Sequence, residues 1–253
     1  AYDKLLLAPG AKPTQPPLPG GNIENLFTLR TVEDTLRIRE FVEKQKPRSA
    51  VLAGGGYIGL ELAENLNELG VDVTIIQRPK HLLNPFDPEM AAFIHAKLRS
   101  KGIRLRLGHS VEGFRQEGDN VEVLLKDAAS VTTDLVILAI GVTPDSHLAV
   151  EAGIKTGIKG SIAVNDRMET SVPVIYAVGD AVEVQHRITG AKSLIALAGP
   201  ANRQGRIAAD NICGGDSRYP GSIGSSVIKV FELTAACTGI NEKTALQAGI
   251  DYD

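Results

Sequence analysis

The residues best suited to chemistry in this sequence are three glycines, Gly54, Gly56 and Gly59, in the pattern Gly-x-Gly-x-x-Gly. In a strand-to-helix turn, the first glycine permits the tight bend, the second lets the main chain approach a pyrophosphate, and the third lets the helix pack on the strand. The helix N-terminus then directs unpaired N–H groups toward the phosphates. The same spacing also occurs in βα turns that bind nothing. Here it stands between a predicted strand and a predicted helix, which favours a dinucleotide site.

The strand that follows this helix lacks the acidic residue that commonly binds the ribose of NADH. Gln77 stands at the end of the strand, where that acid is expected, and Arg78 follows it. A carboxylate would repel a 2′-phosphate, whereas Gln77 does not, and Arg78 or Lys80 could form an ion pair with it. We therefore expect the site to accept NADPH as well as NADH. The alternative is that Arg78 is a solvated surface charge.

Three further polar residues each have two interpretations. Asp180 follows a buried strand, so its carboxylate could accept hydrogen bonds from a sugar-alcohol hydroxyl or cap the next helix. Tyr57, directly after the glycines, is either a core residue or a movable lid. Glu61 lies near the same turn, at a helix position where a glutamate is usually exposed to solvent. The residue types alone leave these alternatives open.

The elements that would position these residues follow from apolar patterns and from glycine and proline stops. A strand over 49–53, a helix over 57–69 and a strand over 71–76 form a βαβ unit, which predicts an α/β fold. Thr31 is the expected N-cap of a helix over 31–45. Further helices are predicted at 88–101, 200–213 and 242–248, and further strands at 4–8, 103–107, 111–116, 120–125, 135–140, 174–178 and 226–231.

The composition excludes several classes of protein. Of 253 residues, 43% are hydrophobic and 23% are charged, which is typical of a globular chain rather than a disordered one. The net charge of −3 is too balanced for binding nucleic acid or a membrane surface by bulk electrostatics. The 2 cysteines and 5 scattered histidines form neither a disulfide framework nor a metal-ligand spacing. We therefore expect a cytoplasmic protein without a metal.

Four ordered stretches, residues 2–11, 54–61, 139–144 and 170–180, resemble motifs of the FAD-dependent pyridine nucleotide–disulfide oxidoreductase family. In order, they resemble a strand that ends in Ala-Thr-Gly, the NAD(P)-binding turn, a loop on the nicotinamide side and the second FAD motif. The sequence departs from these motifs at Pro9, which replaces the usual Thr, and at Asp145, where Asn is typical. Residues 197–206 resemble the helix start that faces the flavin ring. Their form is most similar to the branch of coenzyme A-disulfide and persulfide reductases, which is close to the NADH oxidases and peroxidases.

The resemblance implies a role for each matching residue. Tyr57 would gate the flavin face at which nicotinamide docks, and Glu61, the other residue expected to be catalytic, would lie beside the nicotinamide. Asn202 would contact the coenzyme A portion of a substrate. The residues expected to bind NAD(P)H are Gly54, Gly56, Ile58, Gly59, Gln77, Arg78, Gly141 and Val142, and those expected to bind FAD are Ala8, Gly10, Arg30, Gly179, Asp180 and Ala198.

The resemblance also implies an arrangement of two Rossmann-like nucleotide-binding domains. An NAD(P)-binding domain, 28–146, would be inserted into a partial FAD domain made of 1–27 and 147–222. Residues 223–253 would begin an α+β dimerisation domain, so the parent protein would be a homodimer. The family's first FAD turn and its redox cysteine have no counterpart in the sequence, and the chain is therefore expected to be an internal fragment.

The implied reaction passes hydride from NAD(P)H to FAD, and then electrons to a cysteine that attacks a disulfide or persulfide. Two alternatives stay open. One is an NADH oxidase or peroxidase that reduces oxygen or peroxide, and the other, for the isolated chain, is a dinucleotide-binding module without catalysis. In each case the partners are small molecules rather than nucleic acid or a membrane.

Overall fold

The computed structural model describes residues 2–252, and the chain divides into two compact units. The central unit combines Pro13–Gly141 with Val227–Ala236. The terminal unit combines Ala1–Lys12, Val142–Ser226 and Cys237–Asp253. Both units are therefore discontinuous in sequence.

The predicted helices and strands form, with ends that shift by at most two residues. The helices are α1 (Val32–Gln45), α2 (Tyr57–Glu68), α3 (Pro88–Ser100), α4 (His147–Glu151), α5 (Ala198–Ile212) and α6 (Glu242–Ala248). The strands are β1 (Leu5–Leu7), β2 (Ala11–Pro13), β3 (Leu26–Thr28), β4 (Ser49–Ala53), β5 (Asp72–Gln77), β6 (Arg104–Leu107), β7 (Val111–Glu117), β8 (Asn120–Leu125), β9 (Ala128–Thr133), β10 (Leu135–Leu138), β11 (Val142–Pro144), β12 (Ile175–Ala177), β13 (Val184–Gln185), β14 (Lys192–Ser193), β15 (Ser226–Val230) and β16 (Leu233–Cys237).

A five-stranded parallel sheet forms the centre of the central unit, in the order β3-β10-β4-β5-β6. Its three inner strands, β10, β4 and β5, are buried on both faces along most of their length, which is why they read as continuous apolar runs. Val51, Ile76 and Val136 pack against an antiparallel sheet of β7, β8 and β9. On the alternate positions, Leu52 and Ile75 are fully buried, and α2 packs against β4 and β5.

The strand order reverses at β4, and this reversal fixes where a ligand can bind. The chain passes from β4 through α2 to β5 and through α3 to β6, whereas β10 lies on the other side of β4. In open parallel sheets, the crevice at such a switch point lies outside the carboxyl ends of the strands. The turn that contains Gly54, Gly56 and Gly59 stands at this end of β4.

Local capping confirms the predicted start of α1. The Thr31 side chain accepts a hydrogen bond from the N–H of Asp34 at 3.3 Å, and the Asp34 carboxylate accepts one from the N–H of Thr31 at 3.0 Å. This reciprocal capping box satisfies two of the N–H groups that a helix start leaves without intrahelical partners.

The terminal unit is organised around two parallel strands, β1 and β12, which are far apart in sequence. Leu7, Ile162, Ala177 and Ala208 belong to its buried core. The N–H of Val178 extends the pairing by donating to the carbonyl oxygen of Leu7 at 3.0 Å. The residues that follow β1 and β12 therefore leave the sheet side by side.

Residues 227–236 fall within the stretch expected to begin a dimerisation domain, and they group with the central unit. The N–H of Phe231 donates to the carboxylate of Glu64 at 2.7 Å, and Lys101 donates to Glu232 at 2.6 Å. The Lys101 ammonium also lies 4.9 Å from the centre of the Phe231 ring. The contacts thus divide 223–253 between the two units, and a separate domain there stays a prediction.

Within residues 2–252, no helix has both the length and the apolar character required to cross a membrane.

Gly59→Ala is expected to lower the free energy of unfolding. An added Cβ at Gly59 would overlap the carbonyl oxygen of Gly54, and overpacking of this kind typically costs about 1–3 kcal/mol. Gly205→Ala in α5 is the matched control, because a Cβ added there would meet no heavy atom of the described residues within 4 Å other than its chain neighbours and the nearby backbone of α5. Chemical unfolding followed by circular dichroism compares the two variants, and equal losses of stability would contradict the assignment.

Candidate functional site

Three main-chain segments meet at the glycine turn without intervening side chains. Gly54 has a φ of +119°, and a Cβ added there would overlap the carbonyl oxygen of Ala139, which follows β10. A Cβ on Gly59 would overlap Gly54 itself. These two glycines are therefore required by the fold, one for the bend and one for the packing of α2 on β4, as the sequence pattern predicts.

Gly56 differs from Gly54 and Gly59, because the packing of the protein does not require a glycine at this position. Its φ of −86° is open to any residue, and, apart from Gly56 itself and its two chain neighbours, no heavy atom of residues 2–252 lies within 4 Å of where its Cβ would stand. Gly56 is the N-cap of α2, and the described helix carries no Asp or Glu in its first turn. The absent side chain leaves free space at the positive end of a helix, which suits an anion.

The turn is held by hydrogen bonds on both sides of Gly55. Its N–H donates to the Oε1 atom of Gln77 at 2.9 Å, and its carbonyl oxygen accepts the N–H of Leu83 at 2.9 Å. The N–H of Gly54 donates to the carbonyl oxygen of Ile76 at 2.8 Å. Gln77 thus uses its amide oxygen to fix the turn. The sequence showed only that Gln77 stands where an acidic residue is expected, and it did not indicate this hydrogen bond.

A cavity of about 600 Å³ opens at the carboxyl ends of β4, β5 and β10. The switch point of the sheet predicts a crevice at this place. The structure brings six of the predicted site residues to its wall, namely Gly54, Gly56, Tyr57, Gln77, Arg78 and Gly141. Tyr57 is half-buried and Arg78 is exposed, so both can meet a ligand from solvent.

Other predicted residues are not brought to this cavity. Glu61 is exposed on α2, and Ile58 is half-buried in the first turn, but neither lines the wall. Arg30 lies just before α1, where its N–H donates to the Asp34 carboxylate at 2.9 Å. Val142 begins β11 and belongs to the terminal unit. Their expected roles stay predictions.

The cavity wall also contains residues that the sequence analysis did not single out. Leu83, Asn84 and Pro85 belong to the segment between β5 and α3, and His109 and Ser110 follow β6. No local pattern marks them. They reach the wall because β6 pairs with β5, which places the segments after both strands at the same edge of the sheet.

The expected FAD residues lie in the terminal unit, apart from Arg30. Gly179 and Asp180 begin a 3-10 turn, Gly179–Ala181, one residue after β12, and the N–H of Gly179 donates at 2.7 Å to the Oε1 atom of Gln204, a buried residue of α5. Ala198 begins α5, which packs against this turn. Gln204 is a further positioning residue that the sequence did not indicate.

The position of Asp180 does not fit one of its two interpretations, and its role as a ligand-binding residue stays a prediction. It does not cap the next α-helix, because α5 has Leu197 at its N-cap. The Asp180 side chain is half-buried, and burial raises the pKa of its carboxyl group. A carboxylate that has lost water without a compensating charge is suited to accept hydrogen bonds from a ligand hydroxyl.

The remaining predicted residues of the terminal unit lie on its surface or in its loops. Ala8 is exposed directly after β1, and the carbonyl oxygen of Gly10, a residue with a φ of +71°, accepts the N–H of Asp145 at 3.0 Å. Asn202 is exposed on α5, so its amide is open to solvent.

The sequence profile of the pyridine nucleotide-disulphide oxidoreductases matches residues 1–205. The chain belongs to this family. Its α/β fold, with Rossmann-like units, agrees with that membership and confirms the predicted fold class and resemblance.

Several members of the family are similar over nearly the whole chain. An "NAD(P)H sulfur oxidoreductase (CoA-dependent)" of Pyrococcus abyssi is 40% identical over 99% of this chain, and a "Coenzyme A disulfide reductase" of Staphylococcus aureus is 33% identical over 100% of it. The chain spans 56% of the length of each of these relatives. It thus corresponds to about half of either protein.

Two solved structures have closely similar folds. A reduced Bacillus anthracis CoADR-RHD matches with a TM-score of 0.96 and 46% identity, over 100% of this chain and 45% of that one. An NAD-dependent persulfide reductase from A. fulgidus matches with a TM-score of 0.96 and 39% identity, over 100% of this chain and 47% of that one.

Asp180→Asn is expected to stabilise the folded chain near neutral pH. Burial raises the pKa of Asp180, so the carboxyl group holds its proton more tightly in the folded state than in the unfolded state. The free energy of unfolding therefore falls as the pH rises from the pKa of the unfolded state through that of the folded state. Asparagine removes this loss. The gain should therefore be present near neutral pH and absent well below pH 4.

Thermal unfolding of Asp180→Asn at several pH values measures the effect. Asp119→Asn, in an exposed turn of the central unit, is the matched control for the change of residue type. A stabilisation of Asp180→Asn that does not change with pH would show that ionisation of Asp180 is not its source.

Proposed function

We propose that the chain is the nucleotide-binding part of an FAD-dependent enzyme that takes hydride from NAD(P)H and reduces a disulfide or persulfide. The observation that carries the proposal is the empty volume beside Gly56, at the start of α2 and at the mouth of the cavity. A glycine that the fold does not require is explained by a ligand that approaches the main chain.

The residues of the central unit fit a dinucleotide. The first turn of α2 offers main-chain N–H groups to a pyrophosphate, and the hydrogen bonds of Gly55 keep the turn in shape before the ligand arrives. The cavity of about 600 Å³ lies within the usual size range of cofactor sites, roughly 300–1,000 Å³. Apolar residues such as Leu83 and Ile140 supply part of its wall.

The residues of the terminal unit fit part of a flavin cofactor. Asp180 has a half-buried carboxylate at the carboxyl end of a parallel strand, and Gln204 fixes the preceding Gly179. Ala8 and Gly10 follow the neighbouring strand, β1. In this proposal Asp180 accepts hydrogen bonds from the ribityl hydroxyls, and Ala198 presents the start of α5 to the ring.

When bound, the nicotinamide and flavin supply the hydride and electron chemistry. The chain's own residues bind and orient them and exclude water. Tyr57 is half-buried at the cavity wall, so its ring can cover the space in which a nicotinamide would lie. Glu61 is exposed on the same helix, and we assign it to the nicotinamide side with Ile58.

The cavity also favours acceptance of NADPH. Gln77 is neutral, and its amide oxygen is already bound to Gly55, so it presents no carboxylate to a 2′-phosphate. Arg78 lines the same cavity and supplies positive charge to it. The site therefore has an attractive group for a 2′-phosphate and lacks the usual repulsive one at the end of β5.

Relatives support a small sulfur compound as the electron acceptor. They include a Pyrococcus horikoshii "NAD(P)H coenzyme A polysulfide/persulfide reductase", 38% identical over 99% of this chain. In the proposal, Asn202 contacts the coenzyme A portion of such a substrate. A "NADH oxidase" of Methanocaldococcus jannaschii, 38% identical over 96% of the chain, supports oxygen as the second candidate acceptor.

The proposed parent protein is a cytoplasmic homodimer. Cys213 and Cys237 are free thiols, a state that persists in a reducing compartment. An exposed Cys213 suits such a compartment better than an oxidising one.

Gly56→Val is expected to abolish NADH binding and leave the fold intact. The new side chain enters free space and adopts an allowed conformation, but it occupies the volume in which the pyrophosphate would lie. Isothermal titration calorimetry with NADH measures the loss, and an unchanged thermal midpoint serves as the control for folding. Wild-type affinity in a folded Gly56→Val variant would refute the site.

Gln77→Glu is expected to shift coenzyme preference toward NADH. One carboxylate oxygen can still accept the N–H of Gly55, and the added charge repels a 2′-phosphate, so the ratio of the Kd for NADPH to that for NADH should rise roughly tenfold. Gln45→Glu, exposed at the end of α1, adds the same charge away from the cavity and should leave the ratio unchanged. An unaltered ratio in Gln77→Glu would mean that Gln77 has no part in coenzyme selection.

A further inference from the structure

We propose that His95 is a positioning residue for coenzyme binding, which holds one wall of the cavity in place only while its imidazole is neutral. It acts through the β5–α3 loop, residues 78–87, whose Leu83, Asn84 and Pro85 line the cavity. The inference rests on the proposed dinucleotide function. It gives α3 a part in coenzyme binding, in addition to the part of the glycine motif.

A hydrogen bond joins α3 to the loop. The N–H of Leu82 donates to the Nε2 atom of His95 at 3.1 Å. A backbone N–H can only donate, so this nitrogen must carry a lone pair, and the ring must be neutral with its proton on Nδ1. Protonation of His95 would place one N–H group opposite another and break the contact.

The neighbouring histidine, His81, forms a different kind of hydrogen bond. The Nδ1 atom of His81 lies 3.0 Å from the carbonyl oxygen of Leu82, which can only accept. His81 must therefore donate through Nδ1, and it does so whether its ring is neutral or charged. The two polar main-chain groups of Leu82 are thus bound by two imidazoles, of which only His95 loses its bond on protonation.

Leu82 and the residue after it are connected to the glycine turn. The side chain of Leu82 packs against Gly55, and the N–H of the next residue, Leu83, donates to the carbonyl oxygen of Gly55 at 2.9 Å. Both leucines have an exposed fraction of 0%. Leu83 has a φ of +50°, a conformation that an L-residue keeps only when its surroundings enforce it. Loss of the His95 contact would therefore relax the loop and, with it, the wall of the cavity.

The surroundings of His95 favour its neutral form. Burial lowers the pKa of His95, and the charge of Arg99 on the same helix and His81 on the loop lower it further. The hydrogen bond from Leu82 to His95 is therefore fully formed at a pH above the ordinary pKa of an imidazole, and it is lost as the pH falls below that pKa. His109 also lines the cavity, and a positive charge on its ring would attract an anionic ligand and so oppose the effect of His95.

Calorimetric titration of the 253-residue chain with NADH tests the proposal. The wild-type Kd should rise relative to that of His95→Gln as the pH falls from about 8 toward about 5, and the ratio should reach roughly fivefold once His95 is protonated, the effect of losing one ordinary hydrogen bond. His95→Gln should keep the wild-type Kd at the higher pH and show no rise, because Oε1 of glutamine can accept the Leu82 N–H and does not protonate in this range. His95→Leu should bind weakly at both pH values.

His81→Asn is the matched control, because the asparagine amide can donate to the Leu82 carbonyl and the His95 contact remains. This variant should keep the wild-type rise in Kd. A second readout needs no coenzyme: the ¹⁵N resonances of His95 should show an unprotonated Nε2 at about pH 8.

Three results would overturn the inference: a ratio of the wild-type Kd to the Kd of His95→Gln that does not change with pH, a rise in Kd that persists in His95→Gln, or a His95 ring with its proton on Nε2. Complete absence of NADH binding by the wild type at both pH values would instead refute the proposed function on which the inference rests.

Discussion

The central unit depends on one close approach, in which the main chains after β4 and β10 and at the start of α2 meet without side chains between them. Gly54 touches the carbonyl of Ala139, and Gly59 touches Gly54. Any Cβ at either glycine would force these segments apart. Because the approach brings α2 directly onto the end of β4, the positive end of the helix faces the crevice at which the strand order reverses. The position of the site and the packing of the fold are therefore consequences of the same contact.

Around this contact, the protein separates the residues that shape the turn from the one that leaves it open. Gln77 and Leu83 hold Gly55 from either side, and Leu82 packs on it. Gly56 has no comparable duty within the described residues. A preorganised turn loses little conformational freedom on binding, so more of the interaction energy with phosphate contributes to affinity. The polar groups of the β5–α3 loop belong to this framework as much as the glycines do.

Local sequence patterns predicted much of the fold because they report local physics. The βαβ unit follows from apolar runs and glycine stops, and the start of α1 follows from Thr31 and Asp34, which bond each other. The cavity wall could not be predicted in this way. His109 reaches it through the pairing of β6 with β5, and the roles of Gln77 and Gln204 lie in hydrogen bonds to main-chain groups 22 and 25 residues away. Such partners depend on tertiary contacts that carry no periodic signal. The pairing of β1 with β12 is hidden for the same reason.

The interleaving of the two units has a consequence for how the chain is made. The hairpin of β15 and β16 lies largely in the central unit, where Phe231 bonds Glu64 and Glu232 bonds Lys101. During translation, those partners leave the ribosome long before the hairpin does, since Val142–Ser226 must be synthesised in between. The parallel sheet can form early, but the Glu64 carboxylate and the Lys101 ammonium stay solvated until Phe231 and Glu232 have been synthesised. The central unit therefore acquires its last contacts only after most of the terminal unit has already emerged from the exit tunnel.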